Sequence, residues 1–150
     1  MSEALTALPD KLFDKLQKEP FVMLSTIDVE SGGPTNNAIS WVYAVDPTTI
    51  RFALDRRSRL LSNIASNPKV TATFFAEHTV YTVYGSAVMR VEALEEVPFK
   101  LACYDITIEF VRESMFYGSR ISVEPEYEKT YDKRAAEKLD NQVFAAMKKA

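Results

Sequence analysis

Between Phe21 and Leu54 the chain runs through three short stretches of β-branched and aromatic residues separated by two turn signals. This succession restricts the fold more than any other feature. The first stretch is Phe21-Val22-Met23-Leu24-Ser25-Thr26-Ile27-Asp28, and Ser31-Gly32-Gly33-Pro34 follows it as a turn. The second runs from Thr35 to Val45 and carries Ala38, Ile39, Trp41, Val42 and Tyr43. Asp46-Pro47-Thr48 is the next turn, and Thr49 to Leu54 then alternates at period two. Links this short cannot make a parallel crossover. The pattern therefore predicts two antiparallel hairpins in succession.

The flanking segments add helices and longer strands. Leu5, Leu8, Leu12 and Leu16, with Phe13 beside them, predict an N-terminal helix with Pro9 in its first turn. Glu19-Pro20 ends it, because the residue before proline avoids the α region. Leu60, Leu61, Ile64 and Ala65 predict a short helix with Ser58 as N-cap, stopped at Asn67-Pro68. Val70 to Ala76 and Val80 to Val91 read as strands, the second with Gly85 marking a bulge or bend. After Glu92, the residues Val97, Leu101, Tyr104, Ile108, Val111 and Met115 recur at spacings of four and three and favour a helix with Pro98 in its first turn. Ile106, Ile108 and Phe110 also alternate like a strand. A last strand is expected between Tyr117 and Tyr131, around Arg120-Ile121-Ser122-Val123. Ala136, Leu139, Val143 and Met147 define a C-terminal amphipathic helix. The expected fold is mainly β with helices (α+β), a six-stranded antiparallel barrel with flanking helices.

A chain of 150 residues suits one domain spanning 1–150 around one core. Glycine is scarce, with 4 residues, which argues against a fold of many glycine turns. The net charge of -3 gives no basic surface for nucleic acid. A single cysteine, Cys103, allows no internal disulfide and points to a reducing, cytoplasmic setting. No run of about 18 apolar residues suggests a membrane helix. Met1 to Leu8 carries Glu3 and no basic segment, so it does not read as a signal peptide.

Chemistry concentrates in two places. Asp55-Arg56-Arg57-Ser58-Arg59 puts three arginines in four residues where a strand gives way to a helix. Guanidinium forks and free helix N–H groups suit phosphate oxygens, although a solvated basic turn has the same composition. Thr35-Asn36-Asn37-Ala38-Ile39-Ser40-Trp41 is unusually polar for a strand. It suits the polar edge of a flat heterocycle, or an edge strand facing water. His78 is the only histidine, and with Cys103 the sole thiol it is too little for a zinc site. No Ser-His-Asp arrangement can be argued from spacing, and no metal is expected. Cys103 reads as a buried, inert thiol, and Tyr81 and Tyr84 as core or interface residues.

The order of motifs resembles a family. Gly33-Pro34 and its strand, Ile50-Arg51-Phe52-Ala53-Leu54-Asp55, Ser58-Arg59, Asn63-Ile64, Asn67-Pro68-Lys69-Val70 and Val83-Tyr84-Gly85-Ser86-Ala87 are similar to the pyridoxamine 5'-phosphate oxidase-like FMN-binding split barrels, from about Pro20 to Glu92. The resemblance implies that Arg59 is the main ligand of the FMN phosphate, with Ser58 and Arg57 beside it. It implies that Asn37, Ala38, Ile39 and Ser40 lie along the flavin ring through backbone groups, with Asn36 next to them. Leu54 and Asp55 fall where the family's third strand touches the cofactor. It also implies a homodimer whose two chains build each pocket. Leu60 stands where many members carry a lysine, and the C-terminal segment Tyr131 to Ala136 lacks the oxidases' Arg-x-His motif. A short relative with an unassigned small-molecule substrate or electron donor is therefore expected, rather than the oxidase itself. Trp41 is a candidate to cover a substrate stacked on the exposed flavin face. The other readings are a haem barrel with His78 as axial ligand, a deazaflavin F420 barrel, and a non-catalytic flavin-binding stress-response module.

Overall fold

A computed structural model describes residues 4–150, so the expectation for Met1 to Leu8 falls partly outside the described residues. The elements in chain order are α1 (Asp10–Lys15), β1 (Val22–Ile27), β2 (Pro34–Ile39), β3 (Val42–Asp46), β4 (Thr49–Asp55), α2 (Leu60–Ser66), β5 (Lys69–Ala76), β6 (Thr79–Val91), β7 (Leu101–Glu113) and α3 (Lys133–Lys149). The strands form one sheet of 7 in the order β2-β1-β5-β6-β7-β4-β3. Every pairing is antiparallel. The sheet has two edges, β2 and β3, that do not pair with each other, so it is not closed. The expected count of six strands is corrected to seven.

The two predicted hairpins are present as β1–β2 and β3–β4. The stretch from Thr35 to Val45, expected as one strand, is split at Ser40-Trp41 because its halves serve opposite edges of the sheet. Strands β1 and β3 to β7 turn alternate residues into one core with Leu8, Leu12 and Leu16 from the N-terminal segment and Leu60 and Ile64 from α2, and Ile39 of β2 packs against its rim. That shared inner face gathers strands from both ends of the sheet around one core. A second, smaller cluster on the outside joins Tyr43, Ala53, Leu101 and Cys103 to Val143, Ala146 and Met147 of α3.

The expected helix after Val97 is overturned. Leu101–Glu113 is β7, a central strand held by both β4 and β6. Two effects disguised it. Leu101, Ala102, Cys103 and Tyr104 are all buried, because the inner face meets the core and the outer face lies under α3, so the period of two is lost. Further along, Tyr84 pairs with Phe110 while Gly85 pairs with Ile108. The bulge advances the phase by one residue, so Ile108 and Val111 both reach the core at a helical spacing of three.

The expected strand at Arg120-Val123 is also absent. That stretch is irregular, and Ile121 makes one backbone bond to the His78 carbonyl at 2.7 Å. With both sheet edges elsewhere, it has no ladder to join. The N-terminal helix is shorter than expected, since Pro9 occupies the cap position and Leu5 bridges Val111 as an extended residue. The C-terminal helix forms as predicted, with the Asp132 carboxylate capping the Arg134 N–H.

Gly85 allows the bulge. A Cβ there would overlap the Thr107 backbone oxygen and lie 2.8 Å from Ile106 Cγ2. Gly85→Ala is expected to cost about 1–3 kcal/mol by overpacking, read as a lower urea midpoint. An unchanged midpoint would show that β6 and β7 tolerate closer approach than the bulge implies.

Candidate functional site

The arginine-rich corner lies between the end of β4 and the start of α2. The Ser58 N–H bonds the Asp55 carbonyl at 2.9 Å, and the Ser58 hydroxyl oxygen accepts from the Leu60 N–H at 3.2 Å. Ser58 therefore both closes the turn and caps the helix start, as expected, since Arg59 already has helical dihedrals and makes no side-chain cap bond. A helix of 7 residues supplies little dipole, so the corner's affinity for anions rests on guanidinium groups.

Each of the three arginines meets a carboxylate. Arg56 Nη2 reaches Glu92 at 2.6 Å. Arg57 grips Asp55 with Nε and Nη2, both at 3.1 Å. Arg59 Nη2 donates to Asp28 at 3.0 Å. The side chains of Arg57 and Arg59 remain 91% and 70% exposed. Exposed pairs of this kind contribute little stability and exchange readily. Arg59 commits a single donor and keeps the rest of its fork free. The Arg57 hydrogen bond holds the Asp55 carboxyl below the usual range. Asp28 is also lowered, first by the Ser31 hydroxyl, then by the Ser31 and Glu30 N–H groups and Arg59.

Asp28 belongs to the β1–β2 turn, where its N–H bonds the Gly33 carbonyl at 2.7 Å. Arg59 thus joins the corner to the hairpin that carries the polar strand. Asn36, Asn37 and Ala38 are exposed on β2, Ile39 is half-buried, and Ser40 sits at the break before β3. Asn36 lies across from Ser25 and accepts its hydroxyl hydrogen bond. Asn37 lies across from Leu24 on the other face. Pro34 to Asn37 spans about 10 Å at the usual strand rise. Leu54 is buried and Asp55 half-buried at the end of β4, paired with Ala102 and Leu101. The structure therefore gathers Asp55, Arg57, Ser58 and Arg59 at one corner. It links them to Asn36–Ser40 only through the hairpin turn.

Two participants escaped the sequence reading. Asp28 reads as the last residue of the first strand. Asn63 is fully buried in α2 and bonds Thr26 and Val29 of the hairpin. An asparagine among apolar helix positions was the available signal, since asparagine is a poor helix-interior residue.

The other singled-out residues lie elsewhere. His78 is in the β5–β6 turn at φ +62°, beside the Ile121 carbonyl at 3.3 Å. Trp41 donates its indole N–H to Asp140 at 2.8 Å and lies against Phe99, so α3 engages it. Among the described residues no group of three His, Cys, Asp or Glu could hold a metal. No described helix is long and apolar enough to cross a membrane.

A family model for pyridoxamine 5'-phosphate oxidase matches residues 8–107. No protein with a curated description matches the chain. Among solved structures, the fold is similar to a candidate pyridoxamine 5'-phosphate oxidase from Lactobacillus delbrueckii, with 20% identity and a TM-score of 0.63 over 74% of this chain and 99% of that one. It is similar to an F420 reductase, at 16% identity and TM-score 0.59 over 70% of this chain and 98% of that one. General Stress Protein 26 from Bacillus anthracis is a third, at 17% identity and TM-score 0.58 over 69% and 91%. At these identities the likeness is one of fold.

Cys103 is wholly buried, and that burial pushes its thiol up to about 11. Because the thiolate is the reactive form, thiol reagents at pH 8 are expected to label the native protein very slowly and the urea-unfolded protein fast. Rapid stoichiometric labelling of the folded protein would contradict this placement.

Proposed function

The chain belongs to the pyridoxamine 5'-phosphate oxidase family, and from that premise we propose that it is an FMN-binding flavoprotein that works as a homodimeric oxidoreductase on a small molecule. The observation that carries this reading is the exposed guanidinium corner, tied by Arg59 and Asp28 to the hairpin whose outer strand is polar and unpaired on one side.

The donors present suit a phosphate. Arg59 retains most of its fork, Arg57 stands two residues away, and Leu60 contributes no charge. Asp28 and Asp55 hold the two guanidiniums in place, and an incoming phosphate must share or displace those carboxylates. In this reading Arg59 is the main anion ligand, with Arg57 and Ser58 beside it. Backbone groups of Asn36, Asn37, Ala38, Ile39 and Ser40, with Leu54 and Asp55 at the end of β4, orient the ring. Bound FMN supplies the redox chemistry, and the protein positions it. No acid–base side chain is required, and none is assigned.

His78 does not serve such a site. It follows the far end of β5, whose eight residues span about 25 Å from the end of α2. A haem ligand there has no relation to the arginine corner.

Two features support a homodimer. The polar edge of β2 pairs with β1 alone, and exposed Val88 and Met89 line an apolar groove with Leu61 and Ala65 of α2. The buried, unpaired Cys103 suits a cytoplasmic setting.

Denaturing the purified protein and identifying the released chromophore by absorbance and mass is expected to give FMN. Release of haem or F420 overturns the cofactor assignment. Arg59→Ala is expected to weaken FMN binding by about ten- to a hundredfold, the worth of one charged hydrogen bond or slightly more, by flavin fluorescence titration. A Kd equal to that of the unmodified protein removes the anion seat from this corner. Size-exclusion light scattering at micromolar concentration is expected to give twice the chain mass, and a monomer contradicts the assembly.

A further inference from the structure

We propose that Asn63 is a positioning residue for the anion seat: it clamps α2 to the β1–β2 hairpin, holds Arg59 where a phosphate meets it, and so sets the preference for phosphorylated over unphosphorylated flavin. The inference rests on the flavin reading above.

Asn63 is 0% exposed, between the buried Leu60 and Ile64 on α2. Its Oδ1 accepts from the Val29 N–H at 3.0 Å. Its Nδ2 donates to the Thr26 hydroxyl oxygen at 3.0 Å, and Thr26 is itself 1% exposed. One turn earlier, Arg59 donates to Asp28 at 3.0 Å. Residues four apart lie on the same side of a helix. Arg59 and Asn63 therefore grip residues 26, 28 and 29 of one hairpin from one helix face.

The two grips differ in kind. The Arg59 contact is exposed to water, and an anion can replace it. The Asn63–Thr26 contact is dry, and breaking it strands a buried amide or hydroxyl without a partner, while the bond to the Val29 N–H is part-buried. Asn63 can therefore hold α2 in register while Arg59 exchanges Asp28 for a phosphate. Apolar packing by Leu60 and Ile64 is non-directional and does not fix that register. A buried amide where leucine would fill similar space suits a requirement for one geometry, a role buried polar groups serve in some proteins.

The test compares Kd values for FMN and riboflavin, which lacks the phosphate, in the full-length protein. Asn63→Leu is expected to weaken FMN about tenfold and leave riboflavin unchanged, and the Arg59→Ala/Asn63→Leu double variant is expected to lose little beyond Arg59→Ala alone. Val143→Ala, in α3 and away from the site, is expected to lower the unfolding midpoint without moving the FMN-to-riboflavin ratio. Thr26→Val removes only the Nδ2 partner, and if Asn63→Leu fails to fold, it decides by the same ratio. A ratio that stays constant in Asn63→Leu and Thr26→Val, one that moves equally in Val143→Ala, or losses that add in the double variant overturns the positioning role alone. A protein without any preference for FMN, or a preference that ignores Arg59, overturns the flavin reading and this inference together.

Discussion

The two edges of the sheet, β2 and β3, are consecutive in the chain and separated only by Ser40 and Trp41. An open edge exposes unpaired N–H and C=O groups, so each must be managed. The β3 edge is covered from within. The Ala44 N–H bonds the Leu16 carbonyl at 3.0 Å, and the Gln17 amide donates to the Ala44 carbonyl at 2.9 Å. The short α1 and the residues that follow it thus cover this edge, which explains why Leu12 of the helix and Leu16 at its C-cap are buried. Among the described residues the β2 edge has no such cover, and its polar residues are the kind that water, a heterocycle or a second chain can satisfy. The hairpin that carries this open edge is the one Arg59 reaches through Asp28.

Where the sequence was legible, one physical cause set one pattern. Strand β4 alternates because Ile50, Phe52 and Leu54 meet the main core while its other face carries the charge of Arg51, and α3 shows its stripe because one face meets Tyr43, Leu101 and Cys103. Both hairpins followed from link length. Strand β7 was misread because two causes overlapped in it: burial on both faces erased alternation, and the bulge near Gly85 shifted the phase. The segment around Arg120-Val123 was misread for the opposite reason. Its β-branched residues suggested a strand, but pairing needs a free edge, and local composition does not report where edges are.

The site shows the same division. A cluster of arginines is visible in a linear sequence, whereas the carboxylates facing them are not. Asp28 stands 31 positions from Arg59 and Glu92 stands 36 from Arg56, so neutralisation of the corner appears only in three dimensions. The lone Arg51 makes the contrast. It is 5% exposed, grips Asp105 through Nε and Nη2, and donates to the Met147 carbonyl at the end of α3. Removing one partner of such a buried pair leaves an uncompensated charge, which costs far more than losing an exposed pair. The arginine that drew no notice in the sequence thus ties β4, β7 and α3 together, and the conspicuous ones remain free to exchange partners.

The break between the edge strands has its own support. Trp41 donates to Asp140 of α3, and Lys129 bridges Asp140 and Glu19 at 3.0 and 2.7 Å. Burial disfavours the Lys129 ammonium, but the two carboxylates outweigh it and raise its pKa. The Tyr127 hydroxyl, pushed up to about 12 by burial and by the neighbouring Glu19, donates to the Glu19 carboxylate and carbonyl. Glu19 itself is held at φ +40°, a conformation that a non-glycine residue keeps only when its surroundings impose it. These contacts bind the irregular segment after β7, the end of α1 and α3 to the one point where the chain crosses from one sheet edge to the other. The C-terminal third therefore adds no strand to the sheet beyond β7, yet it fixes the hinge from which β2 and its polar residues project.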